Sequence, residues 1–130
     1  MKPWIRNVSK DALPHIKSSD ILIQIENPDG SFSNSDNFTQ VFRFKFLGGN
    51  NNPHEELNIT DDQAASLAKI LQSALSSHQN VVVQCVSGSV RSGAVAQAGI
   101  DCGFQDYGDK RKPSKLVYQK ISKYLLLKDK

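Results

Sequence analysis

The segment VVVQCVSGSVRSGAVAQA, residues 81–98, limits what this chain can fold into more than any other. Three consecutive valines without polar alternation have the character of a strand covered on both faces. Ser87, Gly88 and Ser89 interrupt that pattern, and an alanine-rich run predicts a helix from about Arg91 to Cys102. A buried strand, a tight loop and a closely packing helix belong to an α/β layered domain.

The rest of the chain supplies compatible pieces. ILIQI, residues 21–25, is a short apolar run ended by the turn signal of ENPDG. QVFRFKF alternates, with Phe42, Phe44 and Phe46 on one side and Val41 and Arg43 on the other, which predicts a strand with one aromatic face. The following LGGNNNPHEELN has no periodicity, and an irregular stretch of that length in a small domain is often functional. Thr60 and Gln63 then form a capping box, with Asp61 and Asp62 complementing the helix dipole. Ala64, Leu67, Ala68, Leu71, Ala74 and Leu75 give that helix an apolar stripe. A last helix begins near Pro113 and buries Val117, Ile121, Tyr124 and Leu125. The expected order is strand, strand, helix, strand, helix, helix around a central, mostly parallel sheet flanked by helices. Residues 1–130 are read as a single domain, since this length suffices for one core.

Composition narrows the function classes. With 38% hydrophobic and 22% charged residues the chain is an ordinary globular protein, and a net charge of +3 makes no electrostatic case for nucleic acid or a membrane. No apolar run approaches the ~18 residues that would span a bilayer, and MKPWIRNVSK lacks the apolar core of a secretory signal. With Cys85 before and Cys102 at the end of a helix from about Arg91 to Cys102, a rise of ~1.5 Å per residue separates that helix's ends by roughly 16 Å. A disulfide needs Cα atoms within about 7 Å. Two free thiols predict a reducing compartment, the cytoplasm. His15 and His78 lack metal-ligand spacing.

The loop after the third strand carries the chemistry. Backbone N–H groups of Val86, Ser87, Gly88, Ser89, Val90 and Arg91, together with a helix N-terminus, would cradle an oxyanion. Gly88 allows a positive φ. Arg91 offers a fork matching two phosphate oxygens. The same field would favour the thiolate of Cys85, lowering a pKa ordinarily near ~8.5, and Ser92 can donate a hydrogen bond to it. The plain alternative is that Cys85 is a small buried hydrophobe and Arg91 a surface cation.

CVSGSVRS resembles the C-x5-R-[ST] signature of the cysteine-dependent protein tyrosine phosphatases, in the C-x-x-G-x-x-R-S form of the compact dual-specificity branch. The likeness extends in order through ILIQI, FRFKF, QAASLAKIL, VVVQC and PSKLVYQKI, roughly residues 20–125, although only the loop is specific. It implies a single phosphatase-like catalytic domain with the phosphate-binding loop between strand and helix. Its activity would be metal-free and cofactor-free hydrolysis of phosphomonoesters through a cysteinyl-phosphate, and a weak general acid would favour phosphotyrosine, whose phenolate leaves more readily, over phosphoserine or phosphothreonine. Cys85 would be the nucleophile, Arg91 the anion-binding cation, and Ser92 the group that eases departure of the thiolate. The expected partner is a phosphoprotein or phosphopeptide, with no membrane, and the expected state is a monomer.

Two positions depart from the family's pattern. The family commonly has His before the cysteine, where this chain has Gln84, which cannot carry charge. The family's general acid is an Asp on the loop after the FRFKF-like strand, where this chain has Leu47, Gly48 and Gly49. Glu55 stands nearest the expected spacing, followed by His54 and Glu56. A missing acid would leave a phosphate-binding pseudophosphatase. The basic run DKRKPSK, residues 109–115, is either a solvated face or a rim that recruits an acidic substrate such as an RNA 5′-phosphate. Sulfur transfer or arsenate reduction also uses a cysteine at an anion loop, but Cys102 is poorly placed as a resolving thiol. Trp4 and Tyr107 either flank the cleft or pack in the core.

Overall fold

A parallel strand buried on both faces has to be apolar along most of its length. Two segments meet this condition, Ile21–Glu26 (β2) and Val81–Cys85 (β4), and every residue in them is buried. They lie side by side, in register from Ile21↔Val81 to Gln24↔Gln84. The computed structural model describes residues 2–16, 20–33, 38–48, 55–107 and 111–128, with the backbone alone for Glu55 and 126–128. In it Trp4–Ser9 (β1) pairs with the free edge of β4, and Gln40–Lys45 (β3) with the free edge of β2. Gln105–Asp106 (β5) completes the order β3-β2-β4-β1-β5, and every pairing is parallel. The molecule is therefore α/β with an all-parallel central sheet, one step beyond the mostly parallel sheet expected.

Among the described residues three helices accompany the sheet: Asp61–Ser76 (α1), Arg91–Cys102 (α2) and Lys115–Lys128 (α3). The start of α1 is fixed as its sequence predicts. Gln63 N–H donates to the Thr60 hydroxyl at 3.1 Å, and Thr60 N–H donates back to Gln63 Oε1 at 2.9 Å. Alternation along β4 divides the interior in two. Val81, Val83 and Cys85 join Leu67, Leu71, Val95, Val117 and Ile121 in the larger core, on the helix side. Val82 faces the other way, onto Val8, Leu13 and Leu22, where the 3-10 turn Leu13–His15 covers the sheet. Phe42 and Phe44 of β3 pack on the larger core and Phe46 is fully buried, whereas Val41 packs on the smaller cluster. The predicted two-sided strand thus has its aromatic face inward.

Strands β1 and β5 leave no readable pattern in the sequence. In WIRNVS, Arg6 and Asn7 interrupt the apolar pattern, and β5 is a two-residue edge that has no periodicity to read. Among the described residues no helix is long and apolar enough to cross a membrane. Because all five strands run the same way, Ser9, Glu26, Lys45 and Cys85 end on one side of the sheet. Open α/β sheets bind ligands beyond that side.

Candidate functional site

Cys85 is the last residue of β4, and its side chain points to the helix side of the sheet. Its sulfur receives the Gly88 N–H at 3.2 Å, lies 3.1 Å from the Ser92 hydroxyl and 3.9 Å from that of Ser87. Burial alone pushes the Cys85 thiol up. The hydrogen bonds from Ser92, Gly88 and Ser87 outweigh it and hold the thiol below its ordinary value. Cys85 is thus both buried, as its plain alternative holds, and chemically biased towards the thiolate.

The loop closes through Gly88. Its φ is +80°, and a Cβ added there would lie 2.3 Å from the backbone nitrogen of Ser9. Only glycine fits a turn pressed this tightly against β1. Val90 is the N-cap of α2 and makes no side-chain capping bond, while the leading N–H of Ser92 bonds the Cys85 sulfur. Of the residues expected to line the loop, Ser87 and Ser89 place their hydroxyls 3.5 Å apart. The Val86 side chain is 43% exposed, an apolar group on the rim.

Arg91 is 9% exposed, which removes the plain alternative that it is a surface cation. Its Nη1 donates to the Phe46 carbonyl at 2.8 Å. One of five guanidinium donors is thereby spent on orientation. Phe46 follows β3 directly, so this bond ties the end of β3 to the start of α2. A second tie runs beside it: the Ser114 hydroxyl donates to the Gly48 carbonyl at 2.6 Å, and the Val117 N–H donates to the same hydroxyl at 3.3 Å. Ser114 therefore caps α3 and anchors the segment leaving β3. Leu47 N–H donates to the Leu57 carbonyl at 2.8 Å, and Leu47 bridges Asn58, which closes the base of the irregular stretch between them.

Of the three acid candidates, only the side chain of Glu56 falls within the described residues. His54 lies outside the described residues. Glu55 opens the 3-10 turn Glu55–Leu57, and its side chain likewise lies outside what is described. Glu56 is exposed. Asp61, the first residue of α1, pairs with Lys120 at 3.0 Å, and that bond lowers its pKa; it is a helix-dipole acid, as its position predicts. Gln84 does not approach the thiol. It faces the opposite side of the sheet, where its Oε1 accepts from Gln24 Nε2 at 3.1 Å and its own Nε2 is buried with no hydrogen-bond partner among the described residues. Gln24 in turn accepts from Arg43 Nε at 3.0 Å.

Several residues that hold the loop carry no motif. Asn7, fully buried on β1, donates to the Gly88 carbonyl at 2.7 Å. Lys10 N–H donates to the Val86 carbonyl at 3.3 Å, and Lys112 N–H to that of Ser89 at 3.0 Å. Of the basic run, Lys112 and Ser114 lie against the loop, Ser114 N–H donating to the Val90 carbonyl at 3.1 Å, while Asp109 and Lys110 fall outside the described residues. A cavity of about 410 Å³ opens beside the loop, lined by Asn7, Ser9, Ala12, Ser87, Gly88 and Ser89 among others. A larger one of about 700 Å³, bounded by Lys69, Gln72, Asp101, Cys102 and Leu125, takes in none of the loop residues. Trp4 and Tyr107 stack on each other, ring centroids 4.9 Å apart, across the β1–β5 edge. Both cysteines are free thiols. Among the described residues no three His, Cys, Asp or Glu side chains are grouped as a metal would require.

The class these features define is an α/β protein with a cysteine at the end of a parallel strand and an arginine opening the next helix. Neither a protein-family model nor a curated protein sequence matches the chain.

Proposed function

We propose that this protein is a cysteine-dependent phosphatase of the dual-specificity type, hydrolysing phosphomonoesters and preferring phosphotyrosine. The observation that carries this is the environment of the Cys85 sulfur, with Gly88 N–H at 3.2 Å and the Ser92 hydroxyl at 3.1 Å. Inert structural cysteines sit in apolar surroundings that raise the pKa. Donors arranged so that they lower it suit a nucleophile.

The chemistry follows in two displacements. The Cys85 thiolate donates an electron pair to phosphorus, and the bond from phosphorus to the leaving oxygen breaks. That oxygen departs with a proton, for which Glu55 is the first candidate and His54 and Glu56 the others. Water then attacks the cysteinyl-phosphate, its proton passes to a base, and the sulfur leaves as thiolate with inorganic phosphate released. Arg91 and the backbone N–H groups from Val86 to Arg91 stabilise the charge on the three equatorial oxygens in both steps. Ser92 stabilises the departing thiolate in the second.

Hydrolysis of p-nitrophenyl phosphate by the wild type and by Cys85→Ser, between pH 5 and 8 without added metal, tests this. Its leaving group needs little protonation, so the assay is indifferent to which acid serves. Turnover lost in the serine variant is the expected result. A wild type that binds vanadate but releases no nitrophenol would instead be a phosphate-binding pseudophosphatase.

A further inference from the structure

We infer that Asn7, oriented by the Asp106–Arg111 ion pair, is a positioning residue that fixes which way the Gly88–Ser89 peptide faces; this rests on the oxyanion-binding role proposed for the loop. Asn7 is fully buried in β1, and an amide in the middle of a buried strand needs hydrogen-bond partners of its own. Its Nδ2 donates to the Gly88 carbonyl at 2.7 Å, and its Oδ1 accepts from Arg111 Nε at 3.3 Å. Arg111 grips Asp106 with two further bonds, Nη2 to Oδ1 at 2.7 Å and Nη1 to Oδ2 at 3.2 Å. A guanidinium only donates, so it selects the oxygen side of the Asn7 amide and turns the NH2 side to Gly88.

The consequence lies in the next peptide. A trans peptide points its C=O and N–H in opposite directions. With the Gly88 carbonyl drawn towards Asn7, the Ser89 N–H is turned the other way and donates to the Ser87 hydroxyl at 3.4 Å, itself 3.9 Å from the Cys85 sulfur. Glycine at positive φ has no Cβ to resist rotation of that peptide. Flipped, it would aim a carbonyl dipole at the anion in place of a donor. Asn7 supplies from β1 the restraint that Gly88 lacks. Gly93 leaves room for the strut, since a Cβ there would lie 2.9 Å from Arg111 Cβ.

Vanadate inhibition of p-nitrophenyl phosphate hydrolysis, measured well below each melting temperature, reads this directly. Asn7→Asp keeps the shape but sets an acceptor against the Gly88 carbonyl. It should weaken vanadate binding by about tenfold or more, the scale of one lost charge-assisted bond, with a parallel fall in kcat/KM. Arg111→Ala leaves Asn7 in place, removes the orienting guanidinium together with its pair to Asp106, and should weaken vanadate by about threefold. A merely structural role would lower the melting temperature and leave the inhibition constant of the folded protein unchanged. Folded variants that bind vanadate within twofold of the wild type would overturn the inference and spare the phosphatase. If Asn7→Asp does not fold, Arg111→Ala decides alone. A wild type that neither turns over nor binds vanadate would overturn the underlying function, and the inference with it.

Discussion

The Ser92 hydroxyl, one residue into α2, lies 3.1 Å from the Cys85 sulfur at the end of β4, closer than any other side chain described around it. This contact closes strand and helix upon the loop. With the sulfur as thiolate the hydroxyl must be the donor, and the bond then favours the charged form.

Ser92→Ala should therefore raise the thiol pKa, and alkylation by iodoacetamide against pH measures it. The wild-type midpoint is expected below the ~8.5 of a free cysteine, and the variant's above the wild type's. The sign carries over to stability. The folded-state pKa is the lower one, so the thiolate's bonds stabilise the fold above the unfolded value and lose that contribution as pH falls through the folded one. Identical alkylation midpoints would remove Ser92 from any role at the sulfur.

Gly88→Ala combines two penalties. A non-glycine residue at φ +80° costs about 1–2 kcal/mol, and the new Cβ would overlap the Ser9 backbone at 2.3 Å, which flexible side chains cannot relieve. Denaturant unfolding should show a loss of at least ~2 kcal/mol, together with loss of vanadate binding. A stability change under ~0.5 kcal/mol would mean that the loop can settle elsewhere.

Arg91→Lys keeps the charge but loses the planar fork. The bond to the Phe46 carbonyl and a paired grip on two oxygens cannot both be made by one ammonium. Turnover of p-nitrophenyl phosphate should fall by about 10²–10³, the scale for one missing oxyanion donor. A loss below fivefold would show that charge alone serves.

Gln84→Leu tests a position where the family pattern and the geometry disagree. The side chain faces Gln24 on the sheet side away from the thiol, and its Nε2 is buried with no partner among the described residues. Replacing it removes that uncompensated donor, and Gln24 Nε2 keeps its bond to the Ser33 carbonyl at 3.2 Å. Unfolding free energy is expected to change by less than ~1 kcal/mol, with no shift in the Cys85 alkylation midpoint. A shift would mean that the strand transmits what the side chain does not touch.

How far the site was legible follows from where its parts lie. Cys85, Gly88, Arg91 and Ser92 fall within eight residues, and the elements around them have clean periodicity, so spacing alone brought them together. The bounds of α2, the cap of α1 and the inward Phe42 and Phe44 follow from the same local physics. Asn7 and Ser114 could not be read that way. Each is an unremarkable polar residue far along the chain from its partner, and its role exists only once β1 lies beside β4 and α3 beside Gly48. Arg111 was visible only as one of a basic run. Its pairing with Asp106 depends on β5, a strand too short to leave a pattern. With Arg6 and Asn7 both breaking the apolar pattern of WIRNVS, the segment leaves no alternation from which a buried Asn7 could be read.

The identity of the acid is best settled by leaving groups. General acid catalysis is worth ~10²–10⁴ in rate, and its value rises with the basicity of the oxygen that departs. Glu55→Gln should leave p-nitrophenyl phosphate hydrolysis within about threefold, yet slow phenyl phosphate by about 10² or more. His54→Gln and Glu56→Gln should change both substrates alike. A phenolate, with a pKa near ~10, tolerates weak protonation better than an alkoxide, so wild-type turnover should favour phosphotyrosine over phosphothreonine peptides. If the three variants all leave phenyl phosphate untouched, the leaving oxygen departs without help from this stretch. Phosphothreonine should then be turned over far more slowly than phosphotyrosine, and equal rates on the two would show that a proton donor elsewhere in the molecule does the work.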